Sequence, residues 1–252
     1  MSNDTPSTPA IPKAARPQQP IPPLTLLEFT DPGIQGLDSY SPLCMKIHRA
    51  LKYAKLPYSR RFANNPNEHS RYNPTGQVPV LLIGEEAVPD STRILRRLCA
   101  LAPDRLRASP EAWLWEELAD TSLYLFVGAA RWADDANWSF VRDVYFSVLP
   151  GPIRGPLASL FRRKVIKSLV SADVWRAGPK ACWERFNNLL DDLDGRAPET
   201  GFWLGEELSI ADISLFAQLH SFRTPLSRGQ ADSIAARRRL TAWLDRVGSA
   251  TV

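Results

Sequence analysis

Cysteine, histidine and methionine are scarce in this chain, with three, three and two among 252 residues. Cys44, Cys99 and Cys182 are odd in number, far apart, and form no Cys-x-x-Cys pair. A disulfide framework or a zinc site is therefore not expected, and a reducing, cytoplasmic compartment is. His48, His69 and His220 have no metal-ligand spacing, so no metal is expected. Long apolar runs are missing too. The longest, residues 123–130, falls far short of the ~18–20 residues of a membrane span, so none is expected. The N-terminus lacks the basic-then-apolar layout of a secretory signal, and Asp4 and sparse arginine speak against a transit peptide. Nor does one sign of charge dominate. The 31 basic and 27 acidic residues leave a formal net charge of +4, too mild to imply nucleic acid. The short clusters Arg162-Arg163-Lys164 and Arg237-Arg238-Arg239 read as solvated helix faces.

Proline, by contrast, is crowded into residues 1–23, where it stiffens the chain and removes backbone donors; a disordered, polyproline-like tail is expected there. Order should begin at residues 24–29, an apolar run of strand length. Ser41-Pro42 then supplies a helix start, an N-cap serine followed by proline at the first helical position. Ile47, Ala50, Leu51 and Ala54 recur at helical spacing until Leu56-Pro57. A second strand is expected over residues 58–62 and a short helix through Arg71. Residues 78–83, the turn residues 84–86 and Ala87-Val88 read as a hairpin. Asp90-Ser91 caps a helix with apolar face Ile94, Leu95 and Leu98. The order is βαβαββα, a thioredoxin-like α+β domain over residues 24–101. From residue 108 to 252 only helical patterns appear: 111–132, 138–148, 156–171, 180–193, 210–222 and 234–247, an all-helical bundle.

Three local patterns carry chemistry. In Asn73-Pro74-Thr75-Gly76-Gln77-Val78-Pro79, a cis bond at Val78-Pro79 would turn the Val78 N–H and C=O toward a cleft, where an extended peptide could pair as an added strand. An ordinary edge-strand proline gives the same pattern. Asp90-Ser91 opens a helix whose free N–H groups attract a carboxylate, while Asp90 can accept from an ammonium, a combination suited to an α-amino-acid head group. A simple N-cap gives that pattern as well. Ser41 sits where a helix N-terminus favours an anion by about 0.3–1 kcal/mol, with Ser39 and Tyr40 beside it.

Together, Ser41-Pro42-x-Cys44, Asn73 to Pro79 and Asp90-Ser91 resemble the glutathione S-transferase superfamily, and Ser209-Ile210-Ala211-Asp212 resembles its buried N-capping box. The stretches Arg131 to Trp138, Val141-Arg142-Asp143 and Arg162 to Val165 resemble the failed-axon-connections, metaxin-like branch, with its bacterial members. The resemblance implies a glutathione transferase fold over about residues 24–247. It implies that Val78 and Pro79 pair with the cysteinyl part of glutathione, Asp90 and Ser91 hold its γ-glutamyl end, and Gln77 lies toward its glycyl end. Ser41 takes the catalytic position and favours the thiolate by donating to the sulfur, a role that Tyr40 or Ser39 beside it could also fill. Cys44, in Ser-x-x-Cys rather than Cys-x-x-Cys, reads as packed, which argues against dithiol or reductase chemistry. Tyr124, Arg131, Trp132 and Trp138 are expected to wall a second, hydrophobic substrate. The implied function is attack of glutathione thiolate on a hydrophobic electrophile, in a detoxifying homodimer. The alternative is a non-catalytic glutathione-binding or protein-interaction module, as in the metaxin-like branch.

Overall fold

The computed structural model describes residues 21–29, 31–34, 36–62, 66–147 and 149–252, with the backbone alone at residues 66 and 67. The tail expected over residues 1–23 therefore lies almost wholly outside the described residues, as does Val148. Within them, β1 (Leu24–Glu28), α1 (Pro42–Tyr53), β2 (Tyr58–Phe62), α2 (Pro66–Ser70), β3 (Val80–Ile83), β4 (Glu86–Pro89) and α3 (Ser91–Leu101) follow the expected order. The four strands form one sheet in the order β2-β1-β3-β4. β2 runs parallel to β1, and β3 is antiparallel to both β1 and β4. This is the thioredoxin-like layout.

The local reasons are those the sequence states. Ser41 caps α1 with extended backbone and Pro42 opens it. Ile47, Ala50, Leu51 and Ala54 are buried along its inner face. Gly84 adopts φ 59° in the tight turn between β3 and β4, a conformation that costs glycine nothing.

The second half is helical. α4 (Pro110–Leu118) is capped by Ser109, whose hydroxyl accepts from Ala112 N at 3.1 Å. It continues into α5 (Tyr124–Gly128) through a π-type segment at Ala119–Leu123, and a second π-type segment, Ala129–Ala133, closes it. The single helix expected over residues 111–132 is thus one rod with two widened turns. α6 (Asp135–Tyr145), α7 (Gly151–Ser171), α8 (Gly178–Arg196), α9 (Ile210–Ser221), α10 (Arg228–Ala235) and α11 (Arg238–Ala250) complete it. α7 starts at Gly151 rather than at Pro156, because a proline this near the N-terminus removes one intrahelical hydrogen bond without ending the helix.

α9 is apolar nearly all round and lies at the centre, packed against α1, α4 and α11. Its capping box forms, with Ser209 N donating to Asp212 Oδ2 at 2.9 Å. The other Asp212 oxygen accepts from Trp203 N at 2.6 Å and Trp243 Nε1 at 3.0 Å. One basic cluster departs from expectation in part. Arg237 is half-buried and donates to the Ser233 and Asn187 carbonyls at 2.7 and 3.2 Å, whereas Arg238 and Arg239 stay exposed as expected, Arg239 also donating to the Ala197 carbonyl at the end of α8 at 2.7 Å.

Candidate active site

Strand register gathers the three sequence patterns at one end of the sheet. Val80, the first residue of β3, pairs with Leu27 near the C-terminal end of β1 and with Pro89 at the C-terminal end of β4. Val78 lies just beyond both ladders, the chain to Ser41 leaves from the same end of β1, and Asp90 follows Pro89.

At the start of α1, Ser41 is part-exposed, and its hydroxyl oxygen accepts from Cys44 N at 3.3 Å. Its neighbours are otherwise engaged. Ser39 is fully buried and accepts from Ser41 N at 3.3 Å. Tyr40 is buried and donates to the Pro32 carbonyl at 3.0 Å. Burial, then Tyr145 and Asp31, push its phenol above its ordinary value. Cys44 is fully buried. Burial, then the charge of Glu28, push its thiol far above the usual range, so it packs as the sequence reading expects.

The segment before β3 organises itself. The Asn73 carboxamide donates to the Gln77 carbonyl at 2.9 Å and accepts from Thr75 N and Oγ1 at 3.1 and 2.9 Å. Gly76 takes φ 70°, and a Cβ there would meet Ser70 Oγ at 3.3 Å. The Val78–Pro79 bond is cis, Pro79 is buried and Gln77 is exposed.

The N-terminus of α3 corrects one expectation. Asp90, not Ser91, is the N-cap, accepting from Arg93 N at 3.0 Å. It does so at φ 78° and ψ 129°, a conformation rare outside glycine that tends to mark binding sites. Ser91 is buried and donates to Asp120 Oδ2 of the helical half at 3.0 Å. Thr92 donates to Glu116 Oε1 at 2.7 Å. Between these two carboxylates lies the ammonium of Lys46, wholly buried in α1, 2.7 Å from Glu116 and in still closer contact with Asp120. Gln218 Nε2 donates to the other Asp120 oxygen at 3.3 Å. Two carboxylates against one ammonium leave the cluster one negative charge in excess, and the side chain of Asp120 retains 12% exposure. Sequence reasoning missed Lys46, Glu116, Asp120 and Gln218. The available signals were a lysine among the buried positions of α1 and two acids at i, i+4 on one helix.

The helical half also holds the loop leading to Ser41. Arg131, buried in the second π-type segment, donates from Nη1 to the Tyr40 carbonyl and, at 3.1 Å, to the Tyr145 hydroxyl. Its Nε and Nη2 find no partner among the described residues. His220 Nε2 bonds the Gly36 carbonyl at 2.8 Å. Trp132 centres an aromatic cluster with ring distances of 5.1 Å to Tyr145, 5.1 Å to Phe161, 6.0 Å to Trp138 and 6.3 Å to Phe146. Tyr145 in turn lies 5.1 Å from Tyr40, which links the cluster to the Ser41 loop. Of the four expected wall residues, Trp132 and Trp138 are joined by ring contact and Arg131 is adjacent. Tyr124, 40% exposed on α5, makes no ring contact among the described residues. Tyr145, Phe146 and Phe161 were not foreseen. Arg162, expected in solvent, donates to the Trp132 and Ala133 carbonyls at 2.7 and 3.0 Å and caps the rod where it ends. Among the described residues no group of histidine, cysteine and carboxylate side chains could hold a metal.

Comparisons with known proteins bear on the family and the fold. Residues 42–137 match the glutathione S-transferase N-terminal domain, and residues 171–246 match the glutathione S-transferase C-terminal domain. The chain belongs to the glutathione S-transferase superfamily. The β-etherase LigF from Sphingobium shares its fold at a TM-score of 0.62 and 20% identity, over 90% of this chain and 95% of that one. A glutathione transferase family member from Pseudomonas fluorescens, solved with two glutathione bound, aligns at a TM-score of 0.56 and 15% identity, over 88% and 87%. A glutathione S-transferase from Rhodospirillum rubrum aligns at 0.59 and 16%, over 90% and 88%. At these identities the likeness shows the fold alone. No curated protein matches the sequence significantly.

Proposed function

We propose that the chain is a glutathione transferase of the failed-axon-connections, metaxin-like branch, working as a cytoplasmic homodimer. Glutathione would pair with the Val78 backbone beside Pro79 and run its glycyl end toward Gln77. Its γ-glutamyl end would lie at Asp90, Ser91 and the N-terminus of α3. The excess negative charge at Asp120 suits the α-ammonium of that end, and the free N–H groups of α3 suit its carboxylate. Ser41 would donate to the sulfur and favour the thiolate. The second substrate, a hydrophobic electrophile, would lie against Tyr124, Arg131, Trp132 and Trp138. Holding both reactants in one cleft supplies the remaining acceleration.

One observation carries this reading. Ser41 is the part-exposed hydroxyl at the N-terminus of α1, while Ser39 and Cys44 are buried and the Tyr40 phenol is turned to Pro32. Millimolar glutathione should therefore raise the Tm, since a ligand of the native state stabilises by mass action. Ser41→Ala should lower kcat with a hydrophobic aryl halide about ten- to hundredfold, a hydrogen bond to a charged atom being worth about 1.5–3 kcal/mol. It should change the KM for glutathione much less. An unshifted Tm sinks the binding claim. A shifted Tm without turnover of any electrophile favours the non-catalytic module.

A further inference from the structure

We infer that the outward face of α7 docks this protein onto an anionic lipid surface. α7 buries Ala158 and Leu169 against the molecule and anchors itself through Arg162. Opposite that side, at 100° per residue, lie Ile153, Leu157 and Leu160, spaced i, i+4 and i+7, with Phe161 at the edge of the same stripe. Large apolar side chains on an inward face would be covered, yet these are 47, 44, 64 and 47% exposed. Lys164 and Lys167 continue the same face for two more turns, and Arg163 flanks it. The helix carries five basic residues and no acidic one. Arg154 and Arg162 are spent on carbonyl oxygens. Arg163, Lys164 and Lys167 are exposed and make no ion pair with any described residue.

Charge decides the occupant. A second copy pairing through this face would bring two wholly basic helices together with no acid on either to offset them. A protein groove would need acids in register with three cations along the stripe. A fluid anionic bilayer needs no register: it takes the four apolar side chains into its headgroup–acyl boundary and meets the cations with phosphates. The chain's net charge of +4 adds to the attraction. Phe161 also packs on Trp132 and Phe146, so the docked face borders the aromatic cluster. The inference is independent of the transferase reading, because binding is read without turnover.

The test is co-sedimentation of the full-length protein with vesicles of phosphatidylcholine alone and with roughly one-third phosphatidylglycerol. The wild-type protein should sediment with the anionic vesicles, little with the neutral ones, and less as salt shortens the ~10 Å screening length of 0.1 M solution. Leu157→Ser with Leu160→Ser, and separately Lys164→Glu with Lys167→Glu, should each weaken partitioning about tenfold or more. Both pairs are exposed, so the Tm should hold, and Lys180→Glu on α8 serves as the charge control. Failure of the wild-type protein to bind, equal binding to both vesicles, or unchanged binding by both double variants overturns the inference. So does a dimer in sedimentation equilibrium that Leu157→Ser with Leu160→Ser dissociates while vesicles stay unbound; the face is then a self-interface.

Discussion

Lys46 joins the two halves at the level of single residues. Its ammonium is fully buried between Glu116 and Asp120, which also accept from Thr92 and Ser91. Removing one partner of such a cluster strands the others without solvent. Lys46→Met should therefore cost about 3–5 kcal/mol in urea denaturation, far more than its lost packing. A loss below about 1 kcal/mol would mean that water screens the cluster. Ser91→Ala leaves the helix cap intact, since Asp90 supplies it. It removes a donor from Asp120, so glutathione affinity should fall about three- to tenfold, one hydrogen bond's worth. Unchanged affinity in a calorimetric titration would count against the γ-glutamyl assignment. Little of this is legible in sequence. Asp90-Ser91 stands out as a helix start, but which of the two caps depends on the turn of the chain out of β4. The partners of Lys46 lie 70 and 74 positions away.

At the scale of elements, the two π-type segments carry Asp120 in one and Arg131 with Trp132 in the other. An extra residue per turn re-aims side chains, and such turns concentrate at functional sites. Arg131 and His220 reach from separate helices to the Tyr40 and Gly36 carbonyls and pin the loop that delivers Ser41. Arg131→Ala should release it: amide exchange over residues 36–41 should rise about tenfold or more, and kcat should fall more than glutathione affinity. Exchange confined to wild-type values would show that His220, Tyr145 and Arg60 hold the loop without Arg131. Before β3, Gly76→Ala should cost about 1–2 kcal/mol, the penalty of a left-handed conformation for a residue with a Cβ. The helix periods, the Ser41-Pro42 start and the hairpin are all readable locally. The π-type turns are not, because the apolar pattern of residues 111–132 fits a plain α-helix equally well.

For the whole molecule, acid sensitivity follows from two histidines, His69 buried and His220 half-buried. Burial lowers the pKa of His69, whose ring nitrogens find no partner among the described residues. Burial likewise lowers that of His220, against the opposing bond to Gly36. With folded values below the ordinary 6.5, the unfolded chain binds more protons in that range. Stability is therefore full above about pH 6.5 and lost as pH falls through the folded values. Tm should decline between about pH 7.5 and about pH 5, and His220→Gln should flatten part of that slope. A wild-type Tm constant over the range would contradict the lowered values of both rings.

By itself the sequence determined the order of elements from β1 to α3, the caps at Ser41 and Ser209, the cis-proline segment and the membership these imply, but the one helix expected over residues 234–247 is two, α10 and α11. Those features rest on interactions within a few residues, where a cap, a turn glycine or a helical period acts on its own neighbours. Only the tertiary structure decided that Ser91 faces Asp120, that Arg131 supports the loop before Ser41, and that Arg162 and Arg237 cap helix ends rather than meet water. It also decided that the apolar stripe of α7 stays uncovered. Such outcomes depend on which distant groups the packed fold brings within hydrogen-bond reach, and a pairing between residues tens of positions apart has no signature in local spacing.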